Sequence, residues 1–305
     1  MPRRPRGRDG TVKLSIVIAT HNRAALLERV VEAALAQTLP PDCFELILVD
    51  DGSTDGTEAL GAELGQRPGV RYLRQPNRGV AAARNRGIAE ATGDVVAFTD
   101  DDCLVPSDWL ARLADGYARH PGVVGVGGRL VAPPEVLRAR AVARLEDHVA
   151  RSVYGAGDEE ALGGFDCPAG GTNNMSYRRA ALLEVGGFDE GFPPFVWGED
   201  ADLKLRLAQR GGRFLYVPVA VIHLRDYGLR AFLRQSWQRG RGEAHFRLKH
   251  EGRRGGRAHL TRLCLAPLKL AASPFRRDPA MRAVAASGDL ALAAGCLTYR
   301  CRKRA

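Results

Sequence analysis

The stretch Val95-Val96-Ala97-Phe98-Thr99-Asp100-Asp101-Asp102 decides how this chain is read. Its first five residues are an apolar run of the kind that forms a strand buried on both faces. Three carboxylates follow at once, at the strand's carboxyl end, the edge where open α/β sheets bind ligands. Acidic groups packed that closely repel one another and raise each other's pKa unless a cation is present. One reading of the triplet is a divalent metal site. The other is a solvated acidic turn capping the next helix, with Asp108 as a further cap candidate.

The same grammar recurs upstream. Leu14 to Ala19 is a β-branched apolar strand that ends in Thr20-His21-Asn22-Arg23. Phe44 to Val49 is another, ending in Asp50-Asp51-Gly52-Ser53-Thr54-Asp55. Helical spacing of Leu26, Leu27, Val30, Val31, Ala34 and Leu35 predicts a helix over Ala24 to Gln37, stopped by Pro40-Pro41. A short strand over Val70 to Leu73 and a helix over Val80 to Glu90 precede the deciding stretch. Alternating strands and helices mean βαβ units, hence an α/β fold with a mostly parallel sheet flanked by helices. Right-handed crossovers then bring all three polar strand ends to one sheet edge.

Downstream, a helix is expected over Trp109 to Tyr117, a glycine-containing strand pair over Gly122 to Val131, and amphipathic helix over residues 133–151. Residues 155–164 read as a glycine-rich loop, either an active-site lid or a plain surface loop. Gly170-Gly171-Thr172-Asn173-Asn174 turns into a strand, and a helix over Arg178 to Val185 follows. Trp197-Gly198-Glu199-Asp200-Ala201-Asp202 leads into a helix from Leu203 to Gln209. Two short strands, Phe214 to Val217 and Val219 to Ile222, come next, and the second delivers His223.

The chain has 305 residues and a formal net charge of +10, enough length for one large or two modest domains. The charge is carried by the flanks: the run Arg3-Arg4-Pro5-Arg6-Gly7-Arg8, expected to be disordered, and a basic, mainly helical region after His223. Six cysteines show no metal-binding spacing and read as free thiols of a reducing compartment. No secretory signal is expected, since Leu14 to Ala19 is too short a core. No run of about eighteen apolar residues is found, so no spanning segment is expected either.

Taken together, Ser15 to Arg23, Val49 to Asp55, Asn77-Arg78-Gly79 with Ala83-Arg84-Asn85, Thr99 to Asp102 with Pro106, Gly171 to Met175 and Trp197 to Asp200 resemble the family 2 glycosyltransferases, inverting enzymes with a GT-A fold. The resemblance runs from about Leu14 to Leu224. It implies a GT-A domain over residues 11–225, after a basic tail at 1–10 and before a basic helical extension at 226–305. It implies a nucleoside-diphosphate sugar donor, a glycan or lipid-linked acceptor and a Mg²⁺ or Mn²⁺ cofactor, in envelope polysaccharide or glycoconjugate synthesis.

The resemblance also implies roles. Asp100 and Asp102 become the D-x-D carboxylates, with Asp102 the direct metal ligand, Asp100 facing the ribose or a metal-bound water, and Asp101 able to replace either. His223 completes the metal shell; the plainer reading is a structural histidine. Thr20, His21 and Asn22 belong to the nucleotide site, His21 stacking on the base or else sharing a helix cap with Asn22. Asp51 accepts a hydrogen bond from the base. Arg84 pairs with Asp100 or with the diphosphate, or is a surface arginine. Asp200 is the general base and Glu199 orients acceptor or sugar, unless both only support a helix dipole. Gly171, Asn173 and Trp197 face donor sugar or acceptor.

Two other classes compete. A basic nucleic-acid-binding protein is disfavoured because the charge is confined to the flanks while the sheet edge is acidic. A sugar-phosphate nucleotidyltransferase would carry a Gly-rich basic loop after the first strand, and Thr20-His21-Asn22-Arg23 is not one. The expected location is cytoplasmic; the basic extension reads either as a solvated helix face or as peripheral on an anionic inner membrane face, where each cation contributes about 1 kcal/mol; nucleic acid is not an expected partner.

Overall fold

The apolar runs become nine strands of one sheet among the described residues. The computed structural model describes residues 12–153, 157–169, 171–192, 198–224, 228–251 and 279–302. The basic run 1–10, Gly170, Trp197 and the stretch 263–270 lie outside them. In chain order the elements are β1 (Leu14–Thr20), α1 (Ala24–Leu35), β2 (Phe44–Asp50), α2 (Thr57–Leu64), β3 (Val70–Arg74), α3 (Val80–Glu90), β4 (Val95–Asp100), β5 (Cys103–Leu104), α4 (Trp109–Arg119), β6 (Val123–Val131), α5 (Pro134–Ala139) and α6 (Ala141–Val153). Then come β7 (Ala161–Gly163), β8 (Met175–Arg178), α7 (Arg179–Glu184), α8 (Glu199–Gln209), β9 (Arg213–His223), α9 (Leu229–His250) and α10 (Pro279–Arg302).

The sheet order is β3-β2-β1-β4-β8-β6-β9-β5, with β7 also pairing with β9. The four strands β3, β2, β1 and β4 are parallel, as the βαβ pattern predicts. Beyond β4 the sheet is mixed: β8 runs antiparallel to β4 and β6, and β9 runs parallel to β6. Register places Thr20 opposite Asp50 and Ala19 opposite Asp100, so the three polar strand ends do share one edge.

Four sequence expectations are corrected. Residues 123–131 form one strand, not a pair, because their glycines serve close packing against Met175 and Phe214 rather than a turn. The expected loop at 155–164 contains β7, which pairs with β9. Phe214 to Ile222 is one strand through Pro218. The missing proline N–H falls where the β6–β9 register shifts between Gly127 and Arg129, an irregularity that removes the need for a donor. Finally, α10 over Pro279–Tyr299 is long and apolar enough, by length and composition, to cross a bilayer. Its alanines and glycines supply an apolar length that Asp289 seemed to interrupt.

The described chain divides into two units. The first holds the sheet. Alternate strand residues feed two cores, one on each face: Leu14, Ile16 and Ile18 pack with α1, α2 and α4, and Val17, Ile47 and Phe98 pack with α3, α7 and α8. Trp109 is fully buried, and its Nε1–H donates to Asn174 Oδ1 at 2.9 Å. Asn174 Nδ2 in turn donates to the carbonyls of Arg129 and Val219, pinning three strands at one point.

The second unit is Ala132–Val149, Gly191–Asp202 and Arg225–Ala305. Within it, Phe232 of α9 packs with Val142 and Leu145 of α6 and Met281 and Val284 of α10. Helices α9 and α10 approach closely: a Cβ on Gly240 would collide with the Leu292 carbonyl, and one on Gly295 with the Trp237 carbonyl. Cys296 Sγ reaches the Gly240 carbonyl at 2.9 Å.

Candidate active site

Each polar turn at the sheet edge has a separate job. After β1, Asn22 adopts a φ of 55°. Its N–H donates to Ser53 Oγ, and its Oδ1 accepts from the Thr54 N–H at 2.8 Å. Asn22 thus ties the first turn to the second and does not cap α1, whose first N–H donates to Asp55 Oδ2 at 3.4 Å. His21 Nδ1 lies 3.0 Å from the Asp51 carbonyl, and Asn22 Nδ2 lies 3.1 Å from His21 Nε2. Those partners select the Nδ1–H tautomer, with Nε2 accepting.

After β2, two adjacent aspartates diverge. Asp50 is fully buried and accepts from Ser53 N–H, Ser53 Oγ and Tyr72 Oη, so it supports the turn. Burial and the Asp50 carboxylate push the Tyr72 phenol far above its usual range. Asp51 binds the segment that opens α3: Oδ1 accepts from Gln75 Nε2 at 2.8 Å and Arg78 N–H at 3.0 Å, and Oδ2 accepts from Gly79 N–H at 2.7 Å.

After β4 comes the triplet. Asp100 pairs with the buried Arg84 at 2.9 Å, and the guanidinium lies over the Phe188 ring. Asp101 accepts from Thr20 Oγ1 at 2.8 Å and lies 3.4 Å from Arg23 Nε. Burial, then the Asp102 charge, push the Asp101 carboxyl up to about 7, against the lowering pull of Arg23. Asp102 Oδ2 is 3.7 Å from Arg23 Nη2, and Oδ1 is 3.1 Å from His223 Nε2.

Backbone pairing fixes that last contact. Cys103 and His223 are register partners of β5 and β9, and the Leu224 N–H donates to the Asp102 carbonyl at 2.8 Å. Among the described residues, His223 Nε2 is nevertheless buried with no hydrogen-bond partner, although Asp102 Oδ1 lies 3.1 Å away. Asp102, Cys103 and His223 bring ligand atoms within 4.8 Å of one another. A carboxylate oxygen, an unsatisfied imidazole nitrogen and surplus negative charge suit a divalent cation. The Cys103 thiol borders this cluster, 3.7 Å from Asp102 Oδ1.

Gly171 accepts from the Asn174 N–H and holds the turn before β8. Asn173 is buried; its carbonyl accepts from Thr99 Oγ1 at 3.2 Å, and its Oδ1 has no partner. Glu199 and Asp200 open α8 and belong to the second unit. Glu199 is buried, and Asp200 Oδ1 accepts from the Ala201 N–H at 2.7 Å. Trp197 lies outside the described residues.

The structure therefore gathers Thr20, His21, Asn22, Asp51, Asp100, Asp101 and Asp102 at the carboxyl ends of the neighbouring strands β1, β2 and β4, with Arg84 of α3 on Asp100 and His223 of β9 beside Asp102. Sequence reasoning missed Arg23 and Gln75. Arg23 had a signal, a cation directly after the first polar turn and facing an acidic edge. Gln75 had none, since its partner is distant in sequence.

The description "Glycosyl transferase family 2" belongs to the family whose sequence pattern matches residues 15–186. A glucosyl-dolichyl phosphate glucuronosyltransferase of Haloferax volcanii is 32% identical over 217 residues, covering 67% of this chain and 66% of that protein. A pre-mycofactocin glycosyltransferase of Mycobacterium tuberculosis is 34% identical over 233 residues, covering 72% of this chain and 44% of that protein. The chain thus spans less than two thirds of the length of either relative. Among solved structures, a mannosyltransferase of Pyrobaculum calidifontis in complex with GDP-Man and Mn²⁺ shares the fold, with a TM-score of 0.63, 21% identity and coverage of 94% of this chain and 87% of that one.

Proposed function

Because this chain belongs to glycosyl transferase family 2 and has the GT-A fold, we propose that it moves a sugar from a nucleoside-diphosphate donor to an acceptor hydroxyl with inversion. The observation that carries the reading is His223 Nε2, buried without a hydrogen-bond partner among the described residues, 3.1 Å from Asp102 Oδ1. Asp102 and His223 hold Mg²⁺ or Mn²⁺, with Asp100 at the ribose side of the same edge. When bound, the cation supplies Lewis-acid neutralisation of the charge that builds on the leaving diphosphate.

The chain's own residues do the rest. Asp51 Oδ2, which accepts the Gly79 N–H at 2.7 Å, takes a further hydrogen bond from the nucleobase. The His21 ring, fixed in one tautomer, stacks on that base. Asp200 removes the proton of the acceptor hydroxyl as its oxygen bonds to the anomeric carbon and the bond to the diphosphate breaks. Glu199 orients the acceptor, and Gly171, Asn173 and Trp197 border the transferred sugar. The acceptor is a glycan or a lipid-linked glycan. The cations of α9 and the apolar length of α10 support attachment of the chain to an anionic cytoplasmic membrane face.

A thermal-shift titration with UDP and GDP, each with and without Mn²⁺, tests the site. One nucleotide stabilises the chain only when the metal is present, by about 2.7 kcal/mol at a hundredfold excess over its Kd; H223A abolishes that shift. A flat response to both nucleotides removes the reading. D200A is expected to stop donor turnover and leave the nucleotide shift intact.

A further inference from the structure

The family match ends at residue 186, so it gives no role to the helices that follow. One of them is attached to the segment that carries the proposed base. Asp202, two residues after Asp200, is fully buried, and its Oδ1 receives both Lys249 Nζ at 2.6 Å and His250 Nε2 at 2.7 Å. Both side chains stand in the last turn of α9, the helix end where the Lys249 charge is favoured. Asp202 stands in the first turn of α8.

The same helix holds the other end of the segment. Phe192 packs on the His245 ring at 4.3 Å between centroids, and Lys249 Nζ lies 5.9 Å from the Phe192 centroid. Gly198, at a φ of 120°, sits so close to α9 that a Cβ there would lie 3.7 Å from the Gly242 carbonyl. Tyr299 of α10 backs the arrangement, its Oη 2.6 Å from His245 Nδ1. The segment is thus fixed on α9 just before Glu199 and again at Asp202.

Helical geometry turns this attachment into aim. Successive residues of a helix rotate by about 100°, so fixing the buried Asp202 sets the direction of Asp200 two residues away. A buried ion pair is a poor way to gain stability, because an apolar residue of similar volume does as well; its better use is to fix one arrangement among several. We infer that Lys249 and His250 are positioning residues, which lock the first turn of α8 through Asp202 and so hold Asp200 and Glu199 in working orientation. The C-terminal helices then form part of the transfer apparatus. This rests on Asp200 being the base.

The test uses the full chain, with UDP–Mn²⁺ and GDP–Mn²⁺ binding as one readout and hydrolysis of UDP-glucose and GDP-mannose as the other. In K249M/H250L, kcat falls about 100-fold, the scale of a 1 Å misplacement, while Kd for the nucleotide that binds stays within twofold. H250Q places an uncharged donor near the Nε2 position and recovers at least a third of the parental kcat. H250N, too short to reach Asp202, does not. A folded double variant with at least half the parental kcat overturns the inference. If the double variant does not fold, equal kcat for H250Q and H250N overturns it instead. D200N separates the two claims: if D200N still turns over, the assignment of the base falls and the inference with it. Loss in D200N with full activity in the α9 variants sinks the inference alone.

Discussion

Two buried acidic centres in this molecule are handled in opposite ways. Asp202 is fully buried and has its partners within the fold, the Lys249 ammonium and the His250 imidazole meeting on one oxygen. The triplet at the end of β4 is crowded too: Arg84 pairs directly with Asp100 at 2.9 Å, but Asp101 and Asp102 have Arg23 at 3.4 and 3.7 Å, and Asp101 is pushed up to about 7. The first centre is complete as it stands. The second leaves negative charge and an unpartnered imidazole for something outside the chain to satisfy. The difference separates an acid that fixes structure from acids that bind.

The contrast can be broken by mutation. The largest effect is expected for D102N, which removes a proposed ligand: donor turnover at saturating Mn²⁺ falls about 10²–10³-fold, the scale of losing one electrostatic stabiliser. Without metal, its urea midpoint does not fall, since a repelling charge has been taken out of a crowd. D202N should behave in the reverse sense, losing about 3 kcal/mol in urea unfolding, the lower end for a broken buried pair because Lys249 is partly exposed. Equal stability changes in the two variants would remove the distinction.

The smallest effect is expected at Glu45, a third buried acid, at the opposite end of β2 from Asp50. Burial opposes its ionisation, but donors from Thr92 and Ser15, with Arg71 nearby, hold its carboxyl below the ordinary 4.5. A depressed folded pKa gives stability that is present above the unfolded value and is lost as pH falls through the folded one. E45Q should therefore flatten the drop in urea midpoint below about pH 4.5, leaving turnover unaffected; an unchanged slope would show that Glu45 is not satisfied within the fold as Asp202 is.

The strands β1, β2 and β4 and the helix α3 were legible because each is a long apolar run or a clear helical repeat. Their shared edge followed from crossover handedness, and that edge already named Asp51 and Asp100 to Asp102. What escaped is what depends on distant partners. The pair β5 and β7 is too short for any period to register. Pro218 looked like a strand end because the irregularity that accommodates it, extra residues of β9 set against β6, exists only once β6, far away in sequence, pairs with it. Arg84 had three readings until the structure set it against Asp100. The hold of Lys249 and His250 on Asp202 was hidden in a run of charges whose commonest fate is a solvated face.

The register of Cys103 with His223 has a consequence for the order of assembly. The proposed acidic ligand, Asp102, is translated early, on a compact set of parallel strands, but the imidazole arrives only when β9 inserts beside β6 and β5. Closing so long a loop is among the slower steps of folding. A nascent chain that has emerged only through β4 can shape the turns after β1, β2 and β4 but lacks the histidine, so the proposed cation site matures last, as a checkpoint on completion of the sheet.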